Sequence, residues 1–542
     1  MRLKGDGRGR SVAGAAAAVM LVTFLSKLLG FGREAALAAV FGANKVTDAY
    51  LVAMVIPGMI FGVVASAITT VGIPVFSEYL HQEGKRQGFL PLVWSCFHAI
   101  CFFLVPVCAL AAVGAPLLVK LLAPGFGGEQ AALTAGLVRI ILPSILFMGL
   151  AGWAQGVLNT FHHFVVPAAV GIPYNIIMIC GIFLSGAFWG IEGVALVTVA
   201  AVASQFLVQL PVLRRFGVEY RREFDLRHPA LVKMGRLLVP VLIGVGATQM
   251  NIVVDRILAS GLAEGSISAL NYAQRLLAIP QGLLAAPLIT VLYPSLAECG
   301  AVGDVDGLRQ RLGRGLEALA FLVVPLSVAL IVLRREFVGF FFQRGAFDAH
   351  DAAMTSFALL FFSIGLLFVV WRDYLARAFY ALQDTATPMW TGVAAVGVNV
   401  ALNLVLVRYL AHGGLALGSS LAAFASCLLL IVLLRRRLGF IGGRELLRQL
   451  SRMAAASGAA GALVYWLNGR LSGFGPWAAL EGFVRGWLGG GGLASFAALG
   501  LRLALLLCAG ALAYVFACWL LRVRELGSAQ IYLHRLKARV SR

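Results

Sequence analysis

Charge is scarce in this chain. Asp, Glu, Lys and Arg make up 13% of its 542 residues, where an ordinary soluble domain carries roughly 25%. A water-facing surface of this size cannot be built from so few. The eight cysteines (Cys96, Cys101, Cys108, Cys180, Cys299, Cys427, Cys508 and Cys518) include no CxxC pair. That excludes a thiolate zinc site or a disulfide framework; most lie in apolar runs and read as small fillers. No Walker A, GxSxG or HExxH pattern occurs, and the eight histidines are scattered. With no phosphate cradle, nucleophile elbow or zincin helix, the chain reads as a non-enzyme driven by a gradient or a membrane potential.

What is abundant is apolar sequence: 60% hydrophobic residues, with a mean hydropathy of +0.90. The formal net charge is +20. Zinc-finger, RNP-like and basic-zipper patterns are missing, and the cations gather in short loops, so the membrane surface rather than nucleic acid is their partner. A helix needs about 20 apolar residues to cross the hydrocarbon. Candidate spans are 12–41, 47–78, 89–119, 131–157, 164–188, 191–213, 235–260, 266–297, 312–333, 352–380, 386–408, 413–434, 450–468 and 495–521. The first is too long for a signal-peptide core and reads as a retained span. Pro57, Pro74, Pro280 and Pro294 interrupt two of the longest, and broken helices at membrane depth line cavities. The fold class is therefore an all-α polytopic membrane protein of about fourteen helices. Alternate loops carry Lys85 and Arg86, then Arg214 to Lys233, then Arg309 to Arg314, then Arg435 to Arg448. By the positive-inside rule, those loops and both termini are cytoplasmic.

The chain also matches itself at an offset of about 221 residues: Arg33-Glu34 with Asp255-Arg256, Tyr50 with Tyr272, Arg214-Arg215 with Arg435-Arg436, and Pro74 through Glu78 with Pro294 through Glu298. Leu158 and Asn175 match Leu382 and Asn399 at a slightly larger one. Six helices per copy give a parallel repeat, as in one large class of transporters that bind near the midplane between two halves. The expected division is 1–215 for the first six-helix lobe, 216–234 for a cytoplasmic linker, 235–437 for the second lobe, 438–522 for two additional helices and 523–542 for a cytoplasmic tail.

A charge at the bilayer centre costs at least roughly 2.5–3.5 kcal/mol, so such residues face a partner or a wet cavity. Lys27, Arg33 and Glu34 lie in the first span, Asp48 opens the second, Asp255 and Arg256 lie in the seventh and Arg275 in the eighth. These are the first two helices of each copy. The cations predict a chamber that concentrates anions, and arginine's planar fork suits a diphosphate. The competing reading is pairing alone, Arg33 with Glu34 or Asp48 and Asp255 with Arg275. Asn399 and Asn403, one turn apart, are oxygen ligands suited to a hard cation, or amides bridging helices.

The motifs Ser26-Lys-Leu-Leu-Gly-Phe-Gly-Arg-Glu34, Thr47-Asp-Ala-Tyr50, Ala123-Pro-Gly-Phe126, Gln343-Arg-Gly-Ala-Phe-Asp348 and Arg377-Ala-Phe-Tyr-Ala-Leu-Gln-Asp-Thr-Ala-Thr-Pro388 occur in order. With them the chain resembles the MurJ/MviN-type lipid II flippases of the multidrug/oligosaccharidyl-lipid/polysaccharide exporter superfamily. The resemblance implies two six-helix lobes around a cationic cavity, with the final helix pair forming a groove for the polyprenyl tail. It implies diphosphate contacts at Lys27, Arg33 and Arg275, with Glu34, Asp48 and Arg256 also in the substrate site. It further implies a sodium site at Asp255, Asn399, Asn403, Ser419 and the carbonyl of Leu415, with sodium as coupling ion. Phe61-Gly62 stands where relatives often carry a basic residue, Gln274 where an acid precedes the arginine, and Asn403 where a carboxylate is usual. The expected activity is movement of the undecaprenyl-diphosphate-linked precursor lipid II from the cytoplasmic to the outer leaflet by alternating access. The alternatives are a flippase for another polyprenyl-linked glycan and a cation-coupled drug antiporter of the same superfamily. The expected setting is the bacterial cytoplasmic membrane, in a monomeric chain associated with membrane lipids and cell-wall synthesis proteins.

Overall fold

The computed structural model describes residues 8–82, 85–439, 442–471 and 492–526. Among these residues every regular element is helical. Among the described residues, ten helices are long and apolar enough to cross a membrane. Further helical segments cover the remaining expected spans: α1 (Arg8–Phe41), the broken run α2 (Lys45–Ala53), α3 (Val55–Ala67) and α4 (Ile73–His81), and, later in the chain, Pro229–Ser260 and Gly443–Leu471. Two of these, α1 and Pro229–Ser260, hold Lys27, Arg33, Glu34, Asp255 and Arg256.

By packing, the chain forms two compact units: residues 1–268 with 344–347, and 269–343 with 348–542. The first unit continues from α4 with α5 (Phe89–Val113), α6 (Ala115–Leu122), α7 (Gly128–Ile141), α8 (Pro143–Thr160), α9 (Val165–Ala169), α10 (Gly171–Phe188), α11 (Gly190–Leu207), α12 (Leu210–Arg215) and α13 (Pro229–Ser260). Its core is built where small residues let helices close. Leu37, Ala49 and Ala53 meet Val138, Ile141, Ile182 and Val194. A second cluster sets Trp94 and Trp153 among Phe76, Leu92 and Val157. The segment after α12 is strapped along α5: the Trp94 indole donates to the Glu219 carbonyl at 2.7 Å, and His98 Nδ1 meets the Glu223 carbonyl at 2.8 Å.

The second unit contains most of α14 (Ser266–Pro280), then α15 (Ala286–Val302), α16 (Val305–Val332), α17 (Arg334–Phe341), α18 (Ala349–Ala381), α19 (Ala386–Leu410), α20 (His412–Leu438), α21 (Gly443–Leu471) and α22 (Gly492–Leu520). Between α21, α22 and α16 lies an apolar pocket of about 260 Å³, lined by Phe321, Pro325, Ala460, Gly461, Gly510 and Tyr514 among others. The glycines and alanines hollow it out, and the Tyr514 hydroxyl is taken up by the Phe321 carbonyl at 2.9 Å.

The backbone repeats itself as the sequence does. Left-handed residues recur as His162 and Gln383, Gly190 and Ala411, and Gly217 and Gly439. The turns after α8 and α18 carry the same bonds: His163 N–H to Leu158 O at 3.0 Å, and Asp384 N–H to Phe379 O at 2.9 Å. This pairs Leu158 with Phe379 rather than Leu382. A left-handed non-glycine residue costs free energy, so its recurrence at one register marks common design more sharply than apolar matches can. Each copy also breaks its second helix with a π-helical turn, at Ile68–Gly72 between α3 and α4 and at Gln281–Ala285 between α14 and α15. Such turns concentrate at functional positions.

Candidate functional site

In the first unit α1 meets α9 and α10 closely where Gly171 carries no side chain. A Cβ on Gly171 would fall 2.1 Å from Ser26 Oγ. The Asn175 amide spans the junction, donating to the Ser26 carbonyl at 3.1 Å and to its own helix at Gly171 at 2.8 Å. This approach places Tyr174 beneath Arg33. The guanidinium carbon stands 5.3 Å from the Tyr174 ring centroid, and Nη2 donates to Glu34 Oε1 at 2.6 Å. Arg33 therefore has two fixed neighbours, yet its side chain keeps 20% of its exposure while that of Glu34 keeps 6%. A planar cation stacked on one face and pinned at one edge leaves its remaining N–H donors in a set direction. Lys27, about two turns earlier, is exposed.

Asp48 is 3% exposed and accepts three hydrogen bonds: the Gly265 amide at 2.8 Å, the Ser268 amide at 2.7 Å and the Ser268 hydroxyl at 2.6 Å. The Ser268 amide belongs to the first turn of α14 and the Gly265 amide directly precedes that helix; orphan N–H groups at a helix start favour a carboxylate. Arg256 is half-buried and acts electrostatically on Asp48, with Nη1 3.4 Å from the Ile267 carbonyl. Asp255 beside it is half-buried.

The same end of this unit is closed by glycines set against backbone. A Cβ on Gly265 (φ +83°) would sit 2.1 Å from the Ala43 carbonyl, one on Gly345 (φ +58°) 2.1 Å from the Ala39 carbonyl, and one on Gly125 2.5 Å from Gly261. The Ala346 amide donates to the Ala39 carbonyl at 2.8 Å, and the Gly125 amide to Ser260 Oγ at 3.1 Å. Two signature motifs, at 123–126 and 343–348, thus supply glycines that let these segments close on neighbouring backbone.

In the second unit Gln274 and Arg275 are exposed on α14. Asn399 and Asn403 are 1% and 0% exposed. Asn403 Nδ2 donates to Asn399 Oδ1 at 3.0 Å, and Asn399 Nδ2 to Ser419 Oγ at 3.3 Å. A Cβ on Gly418 would lie 2.0 Å from Asn403 Oδ1, so that glycine admits the amide. Leu415 is 2% exposed on the same helix as Ser419. The structure brings the two asparagines and Ser419 into one chain, as neutral oxygens that suit a hard cation only with a charged ligand added.

The longest motif, 377–388, is also a helix-ending device. Gln383 is left-handed, and Asp384 caps α19 through the Thr387 amide at 2.9 Å and hydroxyl at 2.6 Å, with Arg437 Nη1 at 2.7 Å. These Thr387 bonds, and then Arg437, hold the Asp384 carboxyl below the usual carboxylate range. A depressed native value means stabilisation that is full above the unfolded value and lost as pH falls through the native one. Asp384→Ala is expected to cost about 1 kcal/mol, the usual worth of such a cap. Its thermal unfolding midpoint in detergent should fall below the parent's at neutral pH, and the gap should close in acid; an equal gap at both pH values would contradict this.

Sequence reasoning reached Arg33, Glu34 and Asp48 as charges out of place. It missed Tyr174, because an aromatic residue in an apolar span carries no signal of its own until α10 is set against α1. The neighbouring Asn175, already prominent as a repeat position, was the available clue.

A family model described as "Lipid II flippase MurJ" matches residues 37–484. The lipid II flippase MurJ of Burkholderia cenocepacia is 30% identical over 455 residues, covering 82% of this chain and 88% of its own. The probable lipid II flippase MurJ of Vibrio cholerae is 30% identical over 458 residues, covering 82% and 86%. Among solved structures, a lipid II flippase MurJ in an inward closed conformation superposes with a TM-score of 0.74 at 23% identity, over 92% of this chain and 97% of that one. An inward-facing multidrug resistance MATE family transporter of the MOP superfamily gives 0.62 at 13% identity, over 79% and 98%. These two likenesses show the fold.

Proposed function

The chain belongs to the MurJ lipid II flippase family, and from that premise we propose that it carries lipid II from the cytoplasmic to the outer leaflet by alternating access. The observation that carries the reading is Arg33: a cation kept at membrane depth, stacked on Tyr174, pinned by Glu34 and still partly open. Helix packing alone would be served at lower cost by apolar side chains. A phosphate-bearing head group explains the expense.

In this proposal Lys27 and Arg33 of the first unit receive the diphosphate. The end closed by Gly125, Gly265, Gly345 and Asp48 is the outer one, because the loops there carry few cations and the positive-inside rule sets both termini in the cytoplasm. The apolar pocket among α16, α21 and α22 offers a surface on which a polyprenyl tail stays in an acyl-like environment while the head group crosses. The neutral oxygens of Asn399, Asn403, Ser419 and the Leu415 carbonyl in the second unit are of the hard type that sodium takes.

Depletion of the protein in its host should leave lipid II on the inner leaflet, and re-expression should restore its exposure to an externally added lipid II-degrading enzyme. An unchanged leaflet distribution on depletion would remove the assignment.

A further inference from the structure

Arg33 has a further neighbour, and the hydroxyl proton of that neighbour is already assigned. Tyr50 of α2 is 5% exposed and packs in one apolar cluster with Ile182 and Val194, against which Tyr174 also rests. Its hydroxyl lies 3.0 Å from Thr198 Oγ1 of α11. The Thr198 hydroxyl has one proton and gives it to the Val194 carbonyl at 2.8 Å. A carbonyl only accepts, so the direction of the chain is fixed: Tyr50 donates to Thr198, and Thr198 to Val194. Tyr50 thereby turns its proton to α11. Its oxygen, the negative end of the dipole, is left for Arg33, on which it acts electrostatically together with Tyr174 and Glu34. Thr198 and Val194 are both 0% exposed, so the chain runs where an unmet polar group is costly.

The repeat sets these residues in register. At its offset of about 221 residues Thr198 matches Ser419, and Arg33 matches Asp255. The second copy carries an acid at that first-helix position and the first copy a cation, so the hydroxyls of the first copy serve a charge that belongs to the chain itself. We propose that Tyr50 and Thr198 are positioning residues for head-group transport: through the Tyr50 oxygen they hold the Arg33 guanidinium on Tyr174, with its remaining N–H donors aimed at the diphosphate, and touch no lipid themselves. The inference rests on the Arg33 reading above and adds to it what does the aiming. A planar fork gains from being aimed, because two parallel bonds to phosphate oxygens need one orientation; a lysine ammonium, a rotating point charge, does not.

The test measures lipid II transport by the full chain in proteoliposomes over a range of lipid II concentrations. Tyr50→Phe and Thr198→Val are made singly, in the parent and in Arg33→Lys. Each keeps the packing and removes one hydroxyl. In the parent each should raise the concentration for half-maximal transport about tenfold, the worth of one hydrogen bond to a charged group. Thr198→Ser, which returns the hydroxyl, should rescue that loss. In Arg33→Lys, which has no fork to aim, neither substitution should cost anything further. Should Arg33→Lys transport too little to compare, undecaprenyl diphosphate binding read by native mass spectrometry gives the same comparison. Thermal unfolding midpoints of every variant report packing: a purely structural role lowers them, and lowers transport by one factor in both backgrounds. An equal further loss in Arg33→Lys, or no loss in the parent while Arg33→Ala is inactive, would overturn the positioning role and leave the flippase reading standing. If Arg33→Ala moves lipid II as well as the parent does, the head-group assignment falls and the positioning role with it.

Discussion

Arg33→Ala abolishes growth when it is the only copy of the gene, and in proteoliposomes its lipid II translocation falls to background. The size of the effect follows from what the side chain does. Truncating one partner of a desolvated charge pair costs about 2–5 kcal/mol, and each 1.4 kcal/mol is a factor of ten. Lost contact with a diphosphate alone would thus cost roughly thirty- to several-thousand-fold. The same substitution takes from Glu34, whose side chain is 6% exposed, the guanidinium whose hydrogen bond it accepts. A drop in activity could then reflect a damaged first unit. Arg33→Ala/Glu34→Gln removes that ambiguity, because a neutral amide no longer needs a cation. The double variant should recover thermal stability and remain inactive. Recovery of transport by the double variant would mean that Arg33 serves only to neutralise Glu34, and the head-group assignment would fall. Arg33→Lys should retain part of the activity, since it keeps the charge and loses the planar fork.

The contrast between Arg33 and Tyr174 shows where reading the sequence stops. A buried charge is legible because its cost is high in any surroundings, so the sequence alone reports that something must offset it. The offset itself is not legible. Tyr174 stands 5.3 Å from the guanidinium where Gly171 lets α10 close on Ser26 of α1, and a glycine's reason is written in its neighbour. The motifs divide in the same way. Their order along the chain suffices for the family, but the glycines at 125 and 345 are explained by the Gly261 backbone and the Ala39 carbonyl they abut, far away in sequence. The repeat was legible from charges, tyrosines and prolines. The left-handed pair His162 and Gln383 makes it plainer, yet those two side chains have nothing in common, so no comparison of residues finds it.

Asp48→Ala unseals the closed end of the first unit. The carboxylate holds Gly265 N–H, Ser268 N–H and the Ser268 hydroxyl within 2.8 Å, and hydrogen bonds to a charged group are worth about 1.5–3 kcal/mol each, less than additively. Removing the acceptor also leaves two amides in a buried place without it. A net loss of about 2 kcal/mol shifts the closed-to-open ratio roughly thirtyfold. Asp48→Asn should fall between, because an amide oxygen accepts but carries no charge. The readout is a cysteine placed at Ala43, which is 4% exposed and whose carbonyl lies against Gly265. A membrane-impermeant maleimide added from outside should label it slowly in the parent and much faster with Asp48→Ala. Gly345→Val provides an independent route to the same state. Its side chain has to displace the Ala39 carbonyl, 2.1 Å from where a Cβ would stand, in a left-handed conformation that β-branched residues avoid. If both variants label as slowly as the parent, these contacts do not govern access from outside. If Gly345→Val labels fast and Asp48→Ala does not, closure is steric and the carboxylate serves only to begin α14.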